Sequence, residues 1–392
     1  MRHLSFRDFV TSPPFFEESD RQPCSESERI ILSLILRNPR KTLAEITKLA
    51  SFSQQSVSRL VKGLMDKGLL VADKKIATGK RGQPSISARL AADYAYSFGI
   101  SLMTDCVTIA LMDFSGTILE QHQHILPAMT RRAVKAYLNE TIEMLIKDHA
   151  IERQKILGVG VGISGYSLGG VSRFNTPPNL DEWALVDIDE ILAEELNLPV
   201  WVENDGNVSA MGESLIGVGR NYANFVHLFI AAGIGGGVVI NGEMMRGCNG
   251  NAGEIGLIVP SNKYPRPMLD LLLQMLQEHN IKVDGISHML ENFDPDWPGV
   301  DEWIEQTEPA LSLVVSAIAA ILDTEAIVLG GRIPKSLARK IISHLEIYDD
   351  VRRSEPRAMP RILISDFTGD SGVTGAAILP FHKYFFNTIS DS

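Results

Sequence analysis

From Tyr96 onward, short apolar runs rich in glycine alternate with stretches of helical periodicity, and this alternation constrains the fold more than any other feature. Ser97–Met103, Cys106–Asp113 and Thr117–His124 read as three strands, with Ser115-Gly116 as a hairpin turn. A helix is expected from about Thr130 to His149. Ile156–Ile163 reads as a buried strand whose glycines imply close packing or the approach of a ligand. Farther on, Leu185–Leu196 and Val208–Ile216 have helical spacing. Val200–Val202, Phe225–Ala231 and Val238–Ile240 read as strands. Pro309–Leu322 is a long apolar helix, and Ala326–Leu329 is a strand running into Gly330-Gly331. Together these predict an α/β body with sheets covered by helices.

The residues before Tyr96 are of another kind. Ser25-Glu26-Ser27-Glu28 and Thr42-Leu43-Ala44-Glu45 have the spacing of capping boxes, each opening a helix. The first helix is stopped by Asn38-Pro39. Ser53 caps a third helix that runs to about Lys67 and ends at Gly68. Val57, Leu60, Val61 and Leu64 fall on one face of it and pack inward. The other face presents Gln54, Gln55, Ser58, Arg59 and Lys62, side chains suited to base edges and phosphates. Two strands, Leu69–Val71 and Ser85–Ser87, flank a basic, glycine-rich hairpin in which Lys80 and Arg81 could reach phosphate or a narrow minor groove. A lone basic loop is also what an ordinary solvated surface looks like. Charge decides between the two. The chain carries a net −11, yet Ser25–Leu90 holds 13 Lys and Arg against 5 Asp and Glu. A basic module joined to an acidic body points to one part that meets phosphate and another that does not. The segment resembles winged helix-turn-helix domains of the multidrug-resistance regulator type.

The chemistry of the body centres on Glu203-Asn204-Asp205-Gly206-Asn207, which follows the strand Val200–Val202. The carboxyl end of a strand is where α/β proteins bind ligands. An Asn-Asp pair there can bond neighbouring sugar hydroxyls, and in a kinase the Asp would be the general base. The same pair also fits an Asx turn capping the next helix. The run Ala231–Gly242 reads as a glycine-rich turn between strands, able to cradle phosphate or simply to turn. In Gly250-Asn251-Ala252-Gly253-Glu254-Ile255-Gly256, Glu254 could accept from hydroxyls or sit at a helix N-terminus.

As an ordered set these runs resemble the ROK family, which contains sugar kinases and sugar-responsive repressors. Val328-Leu329-Gly330-Gly331 is similar to the family's nucleotide-side turn, and Gly369–Ala377 to the start of its C-terminal helix. The resemblance implies a winged helix-turn-helix followed by a two-lobed, actin-like (ribonuclease H-like) sugar-kinase fold. It also implies sugar contacts from Asn204, Asp205 and Glu254, with Ser164, Gly165 and Asn179 as further contacts. Three departures qualify it. Family kinases have an Asp-x-Gly-Gly-Thr phosphate loop where this chain has Ser101-Leu102-Met103-Thr104. Ala231-Ala232 replaces the usual Gly-Thr. No cysteine follows Cys248, so the family's zinc cluster, near which a His and a Glu of the family also touch sugar, is not expected.

These readings lead to one expectation: a non-enzymatic transcriptional regulator, most simply a repressor of sugar genes. It would bind a duplex DNA operator as a homodimer or homotetramer and respond to a sugar it no longer phosphorylates. No metal and no cofactor are expected, and Asp205 would be the remnant of a catalytic base. A sugar kinase with an accessory reader, and a regulator controlled by a protein partner, are the competing readings. Expected divisions are 1–24 as a mobile arm, 25–90 as the reader, 91–202 as a first lobe completed by about 371–392, and 203–370 as a second lobe. Met1–Val10 does not read as a secretory leader, no apolar run approaches the length needed to span a bilayer, and three scattered cysteines suit a reducing compartment, so a cytoplasmic protein is expected.

Overall fold

The computed structural model describes residues 14–17, 23–39, 41–73, 87–169, 172–349, 357–367 and 369–387. A single helical turn, α1 (Pro14–Glu17), comes first. The reader follows as α2 (Glu26–Arg37), α3 (Leu43–Leu49) and α4 (Gln54–Asp66). Both capping boxes form as the spacing requires, at Ser25 with Glu28 and at Thr42 with Glu45. Ser53 caps α4 by accepting from the Ser56 N–H. A two-stranded antiparallel ribbon closes the module, β1 (Leu70–Ala72) against β2 (Ala88–Leu90). Its second strand therefore lies three residues beyond the expected Ser85–Ser87, because the Leu70–Leu90 pairing places apolar Ala88 and Leu90 inward. Lys80, Arg81 and the rest of the expected wing lie outside the described residues.

The body begins with β3 (Tyr96–Leu102), β4 (Cys106–Asp113) and β5 (Ile118–Ile125), an antiparallel meander. Next come α5 (Arg131–Asp148), β6 (Ile156–Ile163), a small hairpin of β7 (Tyr166–Ser167) and β8 (Phe174–Asn175), α6 (Ile188–Leu196) and β9 (Val200–Asn204). The first large sheet has the order β5-β4-β3-β6-β9, with β3, β6 and β9 parallel. After α7 (Asp205–Leu215) the scheme repeats. A meander of β10 (Phe225–Ile230), β11 (Ile234–Ile240) and β12 (Glu243–Met245) is followed by α8 (Leu269–Glu278), α9 (Ile286–Glu291), α10 (Val300–Leu322), β13 (Ala326–Gly331), α11 (Lys335–His344) and β14 (Arg361–Ile364). The second sheet is ordered β12-β11-β10-β13-β14, the same topology as the first. The last helix, α12 (Ser371–Tyr384), returns to pack on β3, β6 and β4 of the first sheet. Two sheets of one topology, with α7 and α12 packed together between them, make the two-lobed, actin-like body.

Several expectations need correction. The run Ala231–Gly242 is not one long turn: Ala231–Gly233 turns, while Gly235, Gly236 and Gly237 lie within β11. There Gly237 lets α7 approach the sheet, since a methyl on it would stand 2.5 Å from the Ala210 methyl and 2.7 Å from the Gly206 carbonyl oxygen. The apolar helix starts at Val300 rather than Pro309, and Pro309 is within it. It is long and apolar enough to cross a membrane by length and composition. Trp303, Leu311, Val314 and Val315 on it are buried in the core of the second lobe.

The arm before Ser25 is not wholly mobile either. Phe15 is buried, 1% exposed, in an aromatic cluster with Phe16, Tyr94 and Phe385 at ring distances of 5.1, 5.9 and 6.1 Å. That cluster continues through Phe114 to Phe381 and Phe386, so the arm, the connection to the body and α12 share one core with the reader. Polar ties reinforce it. The Arg29 guanidinium on α2 donates to the carbonyls of His382 and Phe386, each at 2.7 Å. Asn387 N–H donates to Ser33 Oγ at 2.7 Å, and Arg37 donates to the Arg220 carbonyl at 2.8 Å. Phe15→Ala should therefore cost about 3–5 kcal/mol of stability, read as a lower denaturation midpoint in urea. A midpoint equal to wild type would mean that the aromatic cluster does not hold the arm.

Candidate functional site

Two regions collect the residues that carry chemistry. The first is the outer face of α4. Val57, Val61 and Leu64 are buried against the module's core, while Gln54, Gln55, Ser58, Arg59 and Lys62 are all exposed. Helical periodicity alone produces this division, because a 13-residue helix with one apolar stripe must turn its remaining side chains outward. The Lys67–Glu28 ion pair, at 2.6 Å, ties the end of α4 back to α2.

The second region is a cleft of about 440 Å³ between the lobes. Strand β9 ends at Asn204 and α7 begins at once with Asp205, not near Val208 as the sequence suggested. Asn204 is the N-cap: its Oδ1 accepts from the N–H groups of Gly206 at 2.8 Å and Asn207 at 3.2 Å. Its amide donates to the Gly165 carbonyl at 3.0 Å. The Asx-cap alternative thus describes Asn204, whose oxygen is committed to the helix start. Asp205 is different. One carboxylate oxygen accepts from the Gly206 N–H at 2.8 Å, the other from the Ser164 hydroxyl, and both residues line the cleft. Burial pushes its carboxyl up to about 7, with Asp370 and Glu254 adding to the rise while the Ser164 and Gly206 bonds oppose it. Beneath it Glu203 accepts from the Asn204 N–H and the Asn207 amide, and pairs with Arg246.

Glu254 lines the cleft opposite, its carboxyl also raised by burial, and its side chain makes no cap bond to the short turn that follows. Gly165, at φ +140°, allows the chain to enter the β7–β8 hairpin, since a side chain there would meet the Asn175 carbonyl. Asn179 is not among the cleft-lining residues. It is exposed, with its amide 3.4 Å from the Thr104 carbonyl.

Several lining residues escaped the sequence reading, three of them able to bond a ligand through short polar side chains. Asn175 and Thr176 form part of the wall, and Asp270, at the start of α8, supplies a third carboxylate. Burial raises the Asp270 carboxyl, and Asp105 adds to this while Arg332 opposes it. An acidic residue beyond Cys248 thus reaches the cleft. The only advance signal was its position as the second residue of the run Leu269–Leu276. Asp105 and Arg332 were missed as well. They form an ion pair at 2.5 Å across the lobe boundary, with Ser287 bonded to both. On the other side of the cleft, Asn251 exchanges two bonds with the Ser167 backbone, at 2.7 and 2.9 Å.

A second hollow, about 390 Å³, lies in the second lobe and is walled chiefly by apolar residues such as Val226, Ile240, Leu257 and Ile318. Glu254 is its one ionisable group, so it offers few partners for hydroxyls. Among the described residues no three His, Cys, Asp or Glu side chains gather as a metal site.

A MarR family model matches residues 25–81, and a ROK family model matches residues 97–268. The chain carries a ROK family domain behind a MarR-type winged helix. An uncharacterized protein of Sinorhizobium fredii is 26% identical over 92% of each chain. The xylose repressor of Bacillus spizizenii is 28% identical over 59% of each chain, so this ROK-type chain aligns with less than two thirds of that repressor's length. Among solved structures, a ROK family transcriptional regulator described as a homolog of the E. coli MLC protein superposes with a TM-score of 0.62 at 19% identity, covering 91% of this chain and 96% of that one. A ROK family glucokinase from Streptomyces griseus superposes with a TM-score of 0.60 at 22% identity, covering 73% and 99%. These likenesses establish the fold.

The buried Asp205 makes a prediction about stability. Its folded pKa, about 7, lies above the ordinary value of 3.8. A raised carboxylate favours the folded state below its unfolded pKa, and that contribution is lost as pH rises through the folded value. Asp205→Asn, which cannot ionise, should melt higher than wild type by roughly 5 °C at pH 8, with the gap narrowing toward pH 5. Parallel melting curves across that range would show that Asp205 is not charged at a cost in this site.

Proposed function

We propose that this protein is a sugar-responsive, DNA-binding repressor whose kinase-like cleft binds its effector without phosphorylating it. The observation that carries this reading is a continuous piece of structure. The exposed polar face of α4 belongs to a module fixed by Arg29 to the end of α12, and the other end of α12 begins beside the cleft. The xylose repressors among its relatives agree with it. On this reading the reader is 25–90, the first lobe 91–202 with 371–392, and the second lobe 203–370. Ser164, Asp205, Glu254, Asp270 and the wall residues Asn175 and Thr176 take the sugar hydroxyls. Asn204 and Gly165 shape the site, and Asn179 meets the ligand only at its mouth. Gln54, Gln55, Ser58, Arg59 and Lys62, together with Lys80 and Arg81, face duplex DNA. One reading helix covers few base pairs, so the working form is a homodimer or homotetramer on two half-sites, in the cytoplasm.

The glucokinase likeness keeps phosphorylation as the second reading. Against it stand Ser101-Leu102-Met103-Thr104 in place of an acidic, glycine-rich loop. Phosphoryl transfer depends almost wholly on metal and on positioned donors. Purified protein should release no ADP in a coupled assay with hexoses, pentoses or N-acetylhexosamines. Turnover near ~1 per second with any of them would overturn the repressor reading in favour of the kinase.

Operator binding gives the direct test. In gel shifts with DNA from its own upstream region, Arg59→Ala or Gln55→Ala should weaken specific binding by about 1–3 kcal/mol if the side chain bonds a base edge. Asp205→Asn should bind the same DNA normally and need far more sugar for release. An equal sugar response in wild type and Asp205→Asn would remove Asp205 from effector binding.

A further inference from the structure

The charges in and behind the cleft limit what can enter it. Asp205, Glu254 and Asp270 line it, each with a carboxyl raised chiefly by burial, and no lysine or arginine is among the described lining residues. The starts of α7 and α12 bring positive helix ends near the cleft, but each already carries a carboxylate, Asp205 and Asp370. One strong cation lies close by. Arg332 follows β13, only 3% exposed at its side chain, and its charge is felt by Asp270. A buried guanidinium just past a Gly-Gly strand end would be a natural partner for a phosphate.

That partner is already supplied from within. Asp105, in the β3–β4 hairpin of the opposite lobe, sets Oδ1 2.5 Å from Arg332 Nη1 and Oδ2 3.3 Å from Nη2. Ser287 at the start of α9 donates to the same carboxylate from its hydroxyl at 2.7 Å and its backbone N–H at 3.2 Å, and accepts from Arg332 Nη2 at 2.9 Å. Burial alone would raise the Asp105 carboxyl, but the charge and hydrogen bonds of Arg332 outweigh it and hold it below the ordinary range.

We infer that the cleft rejects phosphorylated ligands, and that Asp105 enforces the rejection by occupying Arg332 as an internal stand-in for a phosphate. Uncharged and amino sugars are then the class admitted, and sugar phosphates and nucleotides are excluded. This rests on the reading of the cleft as the effector site. The role of Asp105 can be measured without any sugar response.

The experiment is calorimetric titration at low salt of wild type, Asp105→Asn and Asp105→Asn/Arg332→Met, with pyrophosphate and with glucose 6-phosphate. Wild type should bind neither saturably at millimolar concentration. Asp105→Asn keeps the size of the side chain and loses the charge. It should bind pyrophosphate more tightly by about tenfold or more (about 1.4 kcal/mol), and the double variant should lose that gain. If Asp105→Asn fails to fold, by circular dichroism, Asp105→Ser replaces it as a smaller neutral residue. Saturable binding of either probe to wild type would overturn the inference. So would a folded Asp105→Asn with no gain, or a gain that survives loss of Arg332. Gain on Asp105→Asn in a protein that binds no neutral sugar would uphold the role of Asp105 while rejecting the sugar reading itself.

Discussion

Helix α12 can lie where it does only because backbone touches backbone. A methyl group at Gly99 on β3 or Gly160 on β6 would run into the carbonyls of Val373 and Ala376, and one at Gly375 would run into the carbonyl of Val208 on α7. Such contacts leave no soft side chain to absorb a shift, because a packed interior has few voids to relax into. The helix is therefore fixed to the first sheet and to α7 at once. Its first turn meets α7 through Ser371 and Ser209, whose hydroxyls are 3.2 Å apart. Its last turn receives Arg29 of the reader at the carbonyls of His382 and Phe386. A guanidinium at a helix C-terminus also answers the negative end of the helix dipole.

The cleft gathers buried carboxylates, which the fold must hold at a cost. Here Asp205, Glu254 and Asp270 are withdrawn from water without a cation among them, and burial raises all three carboxyls. A ligand with several hydroxyls can supply the missing donors, which gives binding a reason to be favourable. The lobes are meanwhile tied on two sides, by the Asn251–Ser167 backbone exchange and by Asp105–Arg332. Closure around a ligand must work through or around both ties.

What the sequence disclosed follows from the range of the forces involved. The caps at Ser25, Thr42 and Ser53 act over three residues, and each formed where its spacing said it would. The periodic strands and helices, the exposed face of α4 and the pairing of Ser164 with Asp205 in one cleft were also foreseeable from local pattern or family likeness. Contacts between distant segments were not. Arg29 lies 353 residues from His382, and Asp105 lies 227 from Arg332. Nothing near any of these residues marks it as paired. Phe15 sits among Pro and acidic residues that read as a loose arm, and only the aromatic cluster built by Tyr94, Phe114 and α12 explains its burial. The glycines of β11 were legible as glycines but not as to purpose, because phosphate and a packed helix both require a bare backbone.

A signal from cleft to reader needs a difference in contacts between two arrangements of the lobes. Asp205 heads α7, and Asp370 heads α12 close enough to raise the Asp205 carboxyl. On the proposed reading a ligand bonded by both Asp205 and Glu254 would draw the Glu254 loop toward the first lobe, and Gly206 against Gly236 leaves α7 no room to slide independently of β11. The motion available to α7 is thus a rigid one, and its close contact with Gly375 hands that motion to α12. Because α12 ends on Arg29, and α2 shares its core with α4, a small rotation at the cleft would, on this reading, change the direction of the exposed α4 face. In the proposed dimer two reading helices would fit one spacing of half-sites, so a change in direction would be enough to release DNA without unfolding the reader.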